Sequence, residues 1–353
     1  MKKKYFIIVA LLFLAISYTS ILAVSSSPID ESEKYKIVLG RYLFYDTRMS
    51  YNLTKSCSSC HDPKFAFSDG YRQSSSADGY SVKRNAPSLL NVKYKTFFTW
   101  GDSTIKKLSQ QLLFPMFNQH PNELGWTNNE AEIIARFENL PIYRTLFGKA
   151  FPKDNNPFVI KNYISAISNF EEQLVSFNSP YDLYLKGNKK TLNIQATAGM
   201  KLFYSAQLGC SNCHQLSEPV KNLTYYNTGL YNVETDGSYP SKDQGLFELT
   251  KNAIDKGKFR IPSLRNIMLT APYTHDGSVE TIGEMISIYQ RGGRLISNSE
   301  NAGDGRLNIN KSNLINGFTL TLKEKENLIV FLYSLTDTSY LSNKNLLNPF
   351  NEN

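Results

Sequence analysis

The pentapeptides CSSCH, Cys57 to His61, and CSNCH, Cys210 to His214, contain all four cysteines of the chain. Two thiols three residues apart, followed at once by an imidazole, suit one arrangement: the thiols add to the two vinyl groups of a haem and the imidazole reaches its iron. Competing uses leave part of the pattern without a task. A disulfide across so short a separation closes a strained loop and explains neither His61 nor His214. A zinc site with four cysteine ligands would join the two pairs and again leave both histidines idle. A thioredoxin-like redox motif ordinarily occurs once, between a strand and a helix. Two covalently bound haem c groups are therefore expected, held by Cys57 and Cys60 and by Cys210 and Cys213, with His61 and His214 as proximal ligands. The chain has to wrap around two flat apolar cofactors.

A similar segment precedes each motif: LGRYLFYD from Leu39 to Asp46, and AGMKLFYS from Ala198 to Ser205. Gly40, Leu43, Phe44 and Tyr45 match Gly199, Leu202, Phe203 and Tyr204, so the chain contains a duplication. The first copy carries six extra residues before its cysteines, placed in RMSYNLTKS. Each half closes on a helical pattern: Ile160, Ile164, Ile167, Phe170 and Leu174 in one; Leu328, Ile329, Leu332 and Leu335 in the other, after the capping box Thr321-x-x-Glu324. Strand-like alternation is scarce, and the stretches from Asp62 to Phe97 and Gln215 to Pro262 read as long loops. The expected fold is mainly α: two tandem cytochrome c-type domains with long loops, each around one haem. GNKK, near Lys186 to Lys190, marks the junction, giving domains at 27–188 and 189–353.

The N-terminus begins with Lys2, Lys3 and Lys4, continues without charge from Tyr5 to Val24, and ends in small polar residues, the build of a secretory signal over 1–26. The same run is long enough to span a bilayer as an uncleaved anchor. Export to the periplasm is expected either way. Without the three leader lysines the net charge falls from +8 to +5, and no polybasic run longer than Lys189-Lys190 remains, so an ordinary solvated surface is expected and nucleic acid is excluded as a partner.

Two haems have four axial positions, and only His120 and His275 remain as further histidines. Either could be a distal ligand or a hydrogen-bonding loop residue. No His, Met or Cys lies between Asp62 and Lys107, so the first iron lacks an evident second ligand, and an open face is what peroxide needs. The two motifs, with RNAPSLLN and KFRIPSLRNIMLTAPYTHDGS, resemble the bacterial di-haem cytochrome c peroxidases and their relative MauG across essentially the whole mature chain. TWGDSTIKKLSQQLLFPMFNQHPNELGW looks most like the MauG-like enzymes of methanobactin cassettes (MbnH).

That resemblance implies roles for particular residues. The peroxidases place a Met ligand to the second haem fourteen residues after the His of the H-[DS]-G motif, where MauG has Tyr; here that position is Tyr289, and Met285 falls four residues early, as core packing. Phenolate is a hard donor that stabilises higher oxidation states, whereas a thioether favours the reduced iron. Glu123 matches the acid-base carboxylate above the peroxide-binding iron, although its separation from Pro115 is two residues longer than in the peroxidases. Gln111 and Pro115 match the distal-pocket pair, and Trp100 the indole between the haems. Asn85, Thr270 and Pro272 match the oxygen donors of a calcium ion between the domains.

Three functions compete. The first is hydrogen-peroxide-dependent oxidation of a side chain, by analogy Trp, on a partner protein. The second is a classical peroxidase fed with electrons by a small cytochrome or cupredoxin, and the third a non-catalytic di-haem carrier. Glu123 and the missing distal His argue against the carrier, which needs both irons saturated; Tyr289 argues against the classical peroxidase.

Overall fold

The computed structural model describes residues 30–216, 224–233 and 238–351; the leader read at 1–26 lies outside them. Among these residues the chain is largely helical, with long irregular connections. The helices used below are α1 (Glu31–Tyr45), α2 (Glu130–Glu138), α3 (Pro141–Ala150), α4 (Ile160–Glu171), α5 (Ile194–Phe203), α6 (Ile282–Arg291) and α7 (Leu322–Tyr333). Two antiparallel pairs of two-residue strands accompany them: Tyr225–Tyr226 with Phe259–Arg260, in register Tyr225 to Arg260, and Leu295–Ile296 with Gly303–Asp304. No helix among the described residues is long and apolar enough to cross a membrane.

The duplication read from the sequence is a duplication of packing. In the first copy α1 packs on α4, and in the second α5 packs on α7. A glycine lets each pair close. A Cβ on Gly40 would lie 1.9 Å from the Ala166 carbonyl oxygen, and a Cβ on Gly199 would lie 1.9 Å from that of Asn327. Beside each glycine an aromatic pair fills the crossing, Phe44 against Phe170 at 5.2 Å and Phe203 against Phe331 at 5.4 Å; such pairs contribute about 0.5–1.5 kcal/mol beyond their burial. Gly199→Ala should therefore force the helices apart and cost roughly 1–3 kcal/mol or more, read as a lowered thermal midpoint of the second unit; an unchanged midpoint would contradict this packing.

The capping box is formed as expected: the Thr321 side chain accepts from the Glu324 amide and the Glu324 carboxylate from the Thr321 amide. Both closing helices stop short of the last apolar residue of their pattern, yet Leu174 and Leu335 remain buried. Their carbonyls serve a repeated device. Asn91 N–H donates to the Leu174 oxygen and Asn266 N–H to the Leu335 oxygen; the side-chain oxygens of the same asparagines accept from the amides of Ser176 and Asp337. The copies meet where the Ser176 hydroxyl donates to the Asp337 carboxylate at 2.8 Å.

Two apolar cores result. The first gathers α1, α3 and α4 around Trp126, Tyr143 and Tyr163. The second gathers α5, α6 and α7 with Trp100 and also Tyr181, from the short helix Pro180–Leu185 just before the GNKK turn. The end of the chain turns back. Tyr340 and Leu346 belong to the first core, the Tyr45 hydroxyl donates to the Leu346 carbonyl, and Arg41 Nε donates to that of Leu347.

Candidate active site: two haem pockets

At the first motif Cys57 opens a short 3-10 turn and Cys60 closes it, so both thiols face one side, with His61 next in the chain. The following loop bends through left-handed backbone at Ala66 (φ 56°) and Phe67 (φ 56°). Each such non-glycine residue costs about 1–2 kcal/mol, offset here by burial of Phe67 and by the Phe67 and Ser68 amides, which donate to Asp62 and Phe65. The bend delivers the Phe67 carbonyl to His61, whose Nδ1–H donates to it at 2.8 Å. A carbonyl only accepts, so Nδ1 carries the proton and Nε2 presents its lone pair, the tautomer an iron ligand requires. Burial pushes the His61 pKa down, which keeps the ring neutral.

The second motif repeats this with other parts. Cys210 to Cys213 form one helical turn entered through Gly209 at φ +62°. His214 Nδ1–H donates to the Pro262 carbonyl at 3.2 Å, and burial lowers its pKa to about 4. Cys210, Cys213, His214 and Tyr289 line a cavity of about 450 Å³, within the range of cofactor pockets. All four cysteines are free thiols, and burial raises the pKa of Cys60 and of Cys210 to about 11. Free thiol pairs and imidazoles presenting Nε2 fit haem c in both halves, and in the second an apolar cavity is already open beside them.

Tyr289 lies in the last turn of α6. Thr281 caps that helix at its start, and Gly292, at φ +80°, ends it. The residue lines the second cavity, and among the described residues no group hydrogen-bonds the hydroxyl. Burial, followed by the Cys213 and Cys210 thiols, raises its pKa. Met285, one turn earlier, lines the same cavity. His275 is buried and stacks on Phe259 with ring centres 3.5 Å apart, whereas His120 is exposed.

On the wall of the second cavity, Trp100 Nε1–H donates to the Asn85 carbonyl at 2.9 Å, and the Asn85 amide donates to the His275 carbonyl. Arg260 is buried with its guanidinium 5.5 Å from the Trp100 ring centre. Asn85, Thr270 and Pro272 line the second cavity. On the first side, Gln111 ends the short helix Leu108–Gln111, which packs on α4, and Pro115 lies in the next one, Leu113–Phe117. The Leu124 amide donates to the Pro115 carbonyl at 3.0 Å and so ties the Glu123 loop beside Pro115. The Glu123 carboxylate is close enough to act electrostatically on both Cys57 and Cys60. Burial alone raises its pKa to about 7.

Two features of this site carry no sequence signal of their own. One is the Phe67 carbonyl. The other is Glu171, 3% exposed, with Oε2 lacking any hydrogen-bond partner and burial pushing its pKa up to about 8.

A helical chain with two such attachment sites is a di-haem c-type cytochrome. The family profile described as di-haem cytochrome c peroxidase matches residues 34–190. Cytochrome c551 peroxidase of Pseudomonas aeruginosa is 32% identical over 309 residues, which cover 88% of this chain and 80% of that protein. The methylamine utilization protein MauG of Methylorubrum extorquens is 28% identical over 258 residues, covering 73% and 69%. A crystal structure of a MauG-like protein associated with microbial copper homeostasis superposes with a TM-score of 0.87 at 42% identity, over 90% of this chain and 93% of that one. The chain belongs to the di-haem cytochrome c peroxidase and MauG family. It is a haem c oxidoreductase that uses peroxide and exchanges electrons with a protein partner.

Proposed function

We propose that the protein uses hydrogen peroxide at the N-terminal haem to oxidise a side chain, Trp by analogy, on a partner protein, with the C-terminal haem bound by His214 and Tyr289. The carrying observation is Tyr289, which lines the His214 cavity and whose hydroxyl lies close enough to Cys213 and Cys210 to be influenced by them while it has no hydrogen-bond partner among the described residues. A buried phenol raised in pKa ionises only beside a positive centre that repays its desolvation. The haems supply the redox chemistry, in which peroxide takes up two electrons and two protons to become water while the partner residue loses two electrons.

The chain's own groups do the rest. Glu123 takes a proton from the entering peroxide and returns it to the departing oxygen. Pro115 and Gln111 shape the space around it. The Phe67 and Pro262 carbonyls fix both proximal imidazoles, and Trp100, on the wall of the second cavity, is the relay toward the first haem. Calcium belongs to the same reading: Asn85 Nδ2 donates to the Tyr71 carbonyl, which leaves Oδ1 as a donor atom beside Thr270 and Pro272. The reading places the protein in the periplasm.

Rapid mixing of the fully oxidised protein with peroxide should bleach the Soret band and produce a near-infrared band without prior reduction. A second reading, the classical peroxidase drawing on a small cytochrome or cupredoxin, is favoured by Met285 in the same cavity. It requires one-electron reduction before peroxide reacts, so a silent fully oxidised protein would select it.

A further inference from the structure

The two copies can be compared residue by residue through their packing. Gly40 meets Ala166 and Phe170 as Gly199 meets Asn327 and Phe331, and Asn91 bonds to Leu174 as Asn266 bonds to Leu335. These matches place Ile167 and Glu171 of α4 opposite Leu328 and Leu332 of α7. Leu328 and Leu332 line the cavity that holds Cys210, Cys213 and His214. Their counterparts accordingly belong to the wall of the first haem pocket, and one of them is an acid.

Direct observations agree. Glu171 is 3% exposed and its Oε2 is sealed from solvent without a partner. After burial, Glu171 is the largest influence on the Cys57 thiol, ahead of Cys60 and Glu123. The cation whose field reaches it is Lys95, whose Nζ donates to the Ser88 carbonyl at 2.7 Å. A carboxyl buried without a hydrogen bond to one of its oxygens costs stability, and the second copy shows that a leucine fits the same place.

We propose that Glu171 is a positioning residue of the N-terminal haem, its carboxylate standing at the Cys57 edge and lowering that haem's reduction potential. The thioether edge of a haem c lies opposite its propionates, so this charge is added where the cofactor brings none of its own. Burial holds this carboxyl protonated up to pH about 8 when nothing positive stands beside it; a ferric haem supplies that positive charge and draws the proton off, so the carboxylate forms with the oxidised centre and stabilises it over the ferrous one. The resting protein then keeps its first iron oxidised and ready for peroxide. The inference rests on haem attachment at Cys57 and Cys60 and is independent of which substrate is oxidised.

The test is a redox titration of the holoprotein followed by electron paramagnetic resonance, which resolves the two ferric centres. Glu171→Leu, the residue of the second copy, and the isosteric Glu171→Gln should both raise the midpoint potential of the N-terminal haem and leave the other unchanged. Leu332→Glu should lower the C-terminal potential. An unshifted N-terminal midpoint in Glu171→Gln, or an equal shift of both haems, overturns the proposal. If Glu171→Leu fails to load haem, Glu171→Gln decides alone. A shifted potential with unaltered peroxide chemistry would support this inference while leaving the proposed function to stand or fall separately.

Discussion

Glu123→Gln lowers the second-order rate of reaction with peroxide by roughly 10²–10⁴-fold and leaves both haems attached. The amide matches the carboxylate in shape but cannot take a proton. The wild-type carboxyl is held neutral by burial up to pH about 7. Only its ionised form is a base, so the wild-type rate rises as pH climbs through that value and falls away below it, and the Gln variant lacks this rising limb. Stopped-flow measurements across pH 5 to 9 decide the matter. A variant that keeps both rate and limb would show that the proton goes elsewhere, despite the Leu124 to Pro115 bond that places this loop against the pocket.

Tyr289→Phe abolishes the near-infrared band that follows peroxide, together with oxidation of the partner, while mass spectrometry still finds two haems. Phenylalanine keeps the ring in the cavity beside Met285 and the second core and removes only the oxygen. Tyr289→Met should go further and change the kind of reaction, because a thioether favours the reduced iron and makes prior one-electron reduction necessary. Unchanged spectra in the Phe variant would mean that the hydroxyl is a bystander, and Met285 would then be the group to replace.

Local chemistry was written in the sequence wherever one residue type has one use. The CxxCH pairs, the capping box at Thr321 and the steps of α4 and α7 could be read directly, because thiol spacing, caps and helical periodicity need no knowledge of distant contacts. Tyr289 and Glu123 were found by family resemblance, and their pockets could be described only once the chain was folded. Glu171 was illegible for a specific reason. In the run Phe170-Glu171-Glu172 two acids stand side by side at a helix end, and only the angle about the axis decides that Glu171 is 3% exposed while its neighbour faces water. Aligning the halves beyond the KLFYS segment would have exposed it, since leucine occupies the matching position. The Phe67 carbonyl was hidden more deeply, because every residue has a carbonyl and only the left-handed bend aims this one.

The return of Tyr340 and Leu346 to the first core also has a temporal meaning. Tyr45 and Leu346 are 301 residues apart, and a ribosome adding about 5–20 residues per second separates them by roughly 15–60 s. During that interval the earlier half has been made but lacks the residues that seal its interior. Cys57 thus packs against a core that stays open until residues 340–346 have been made.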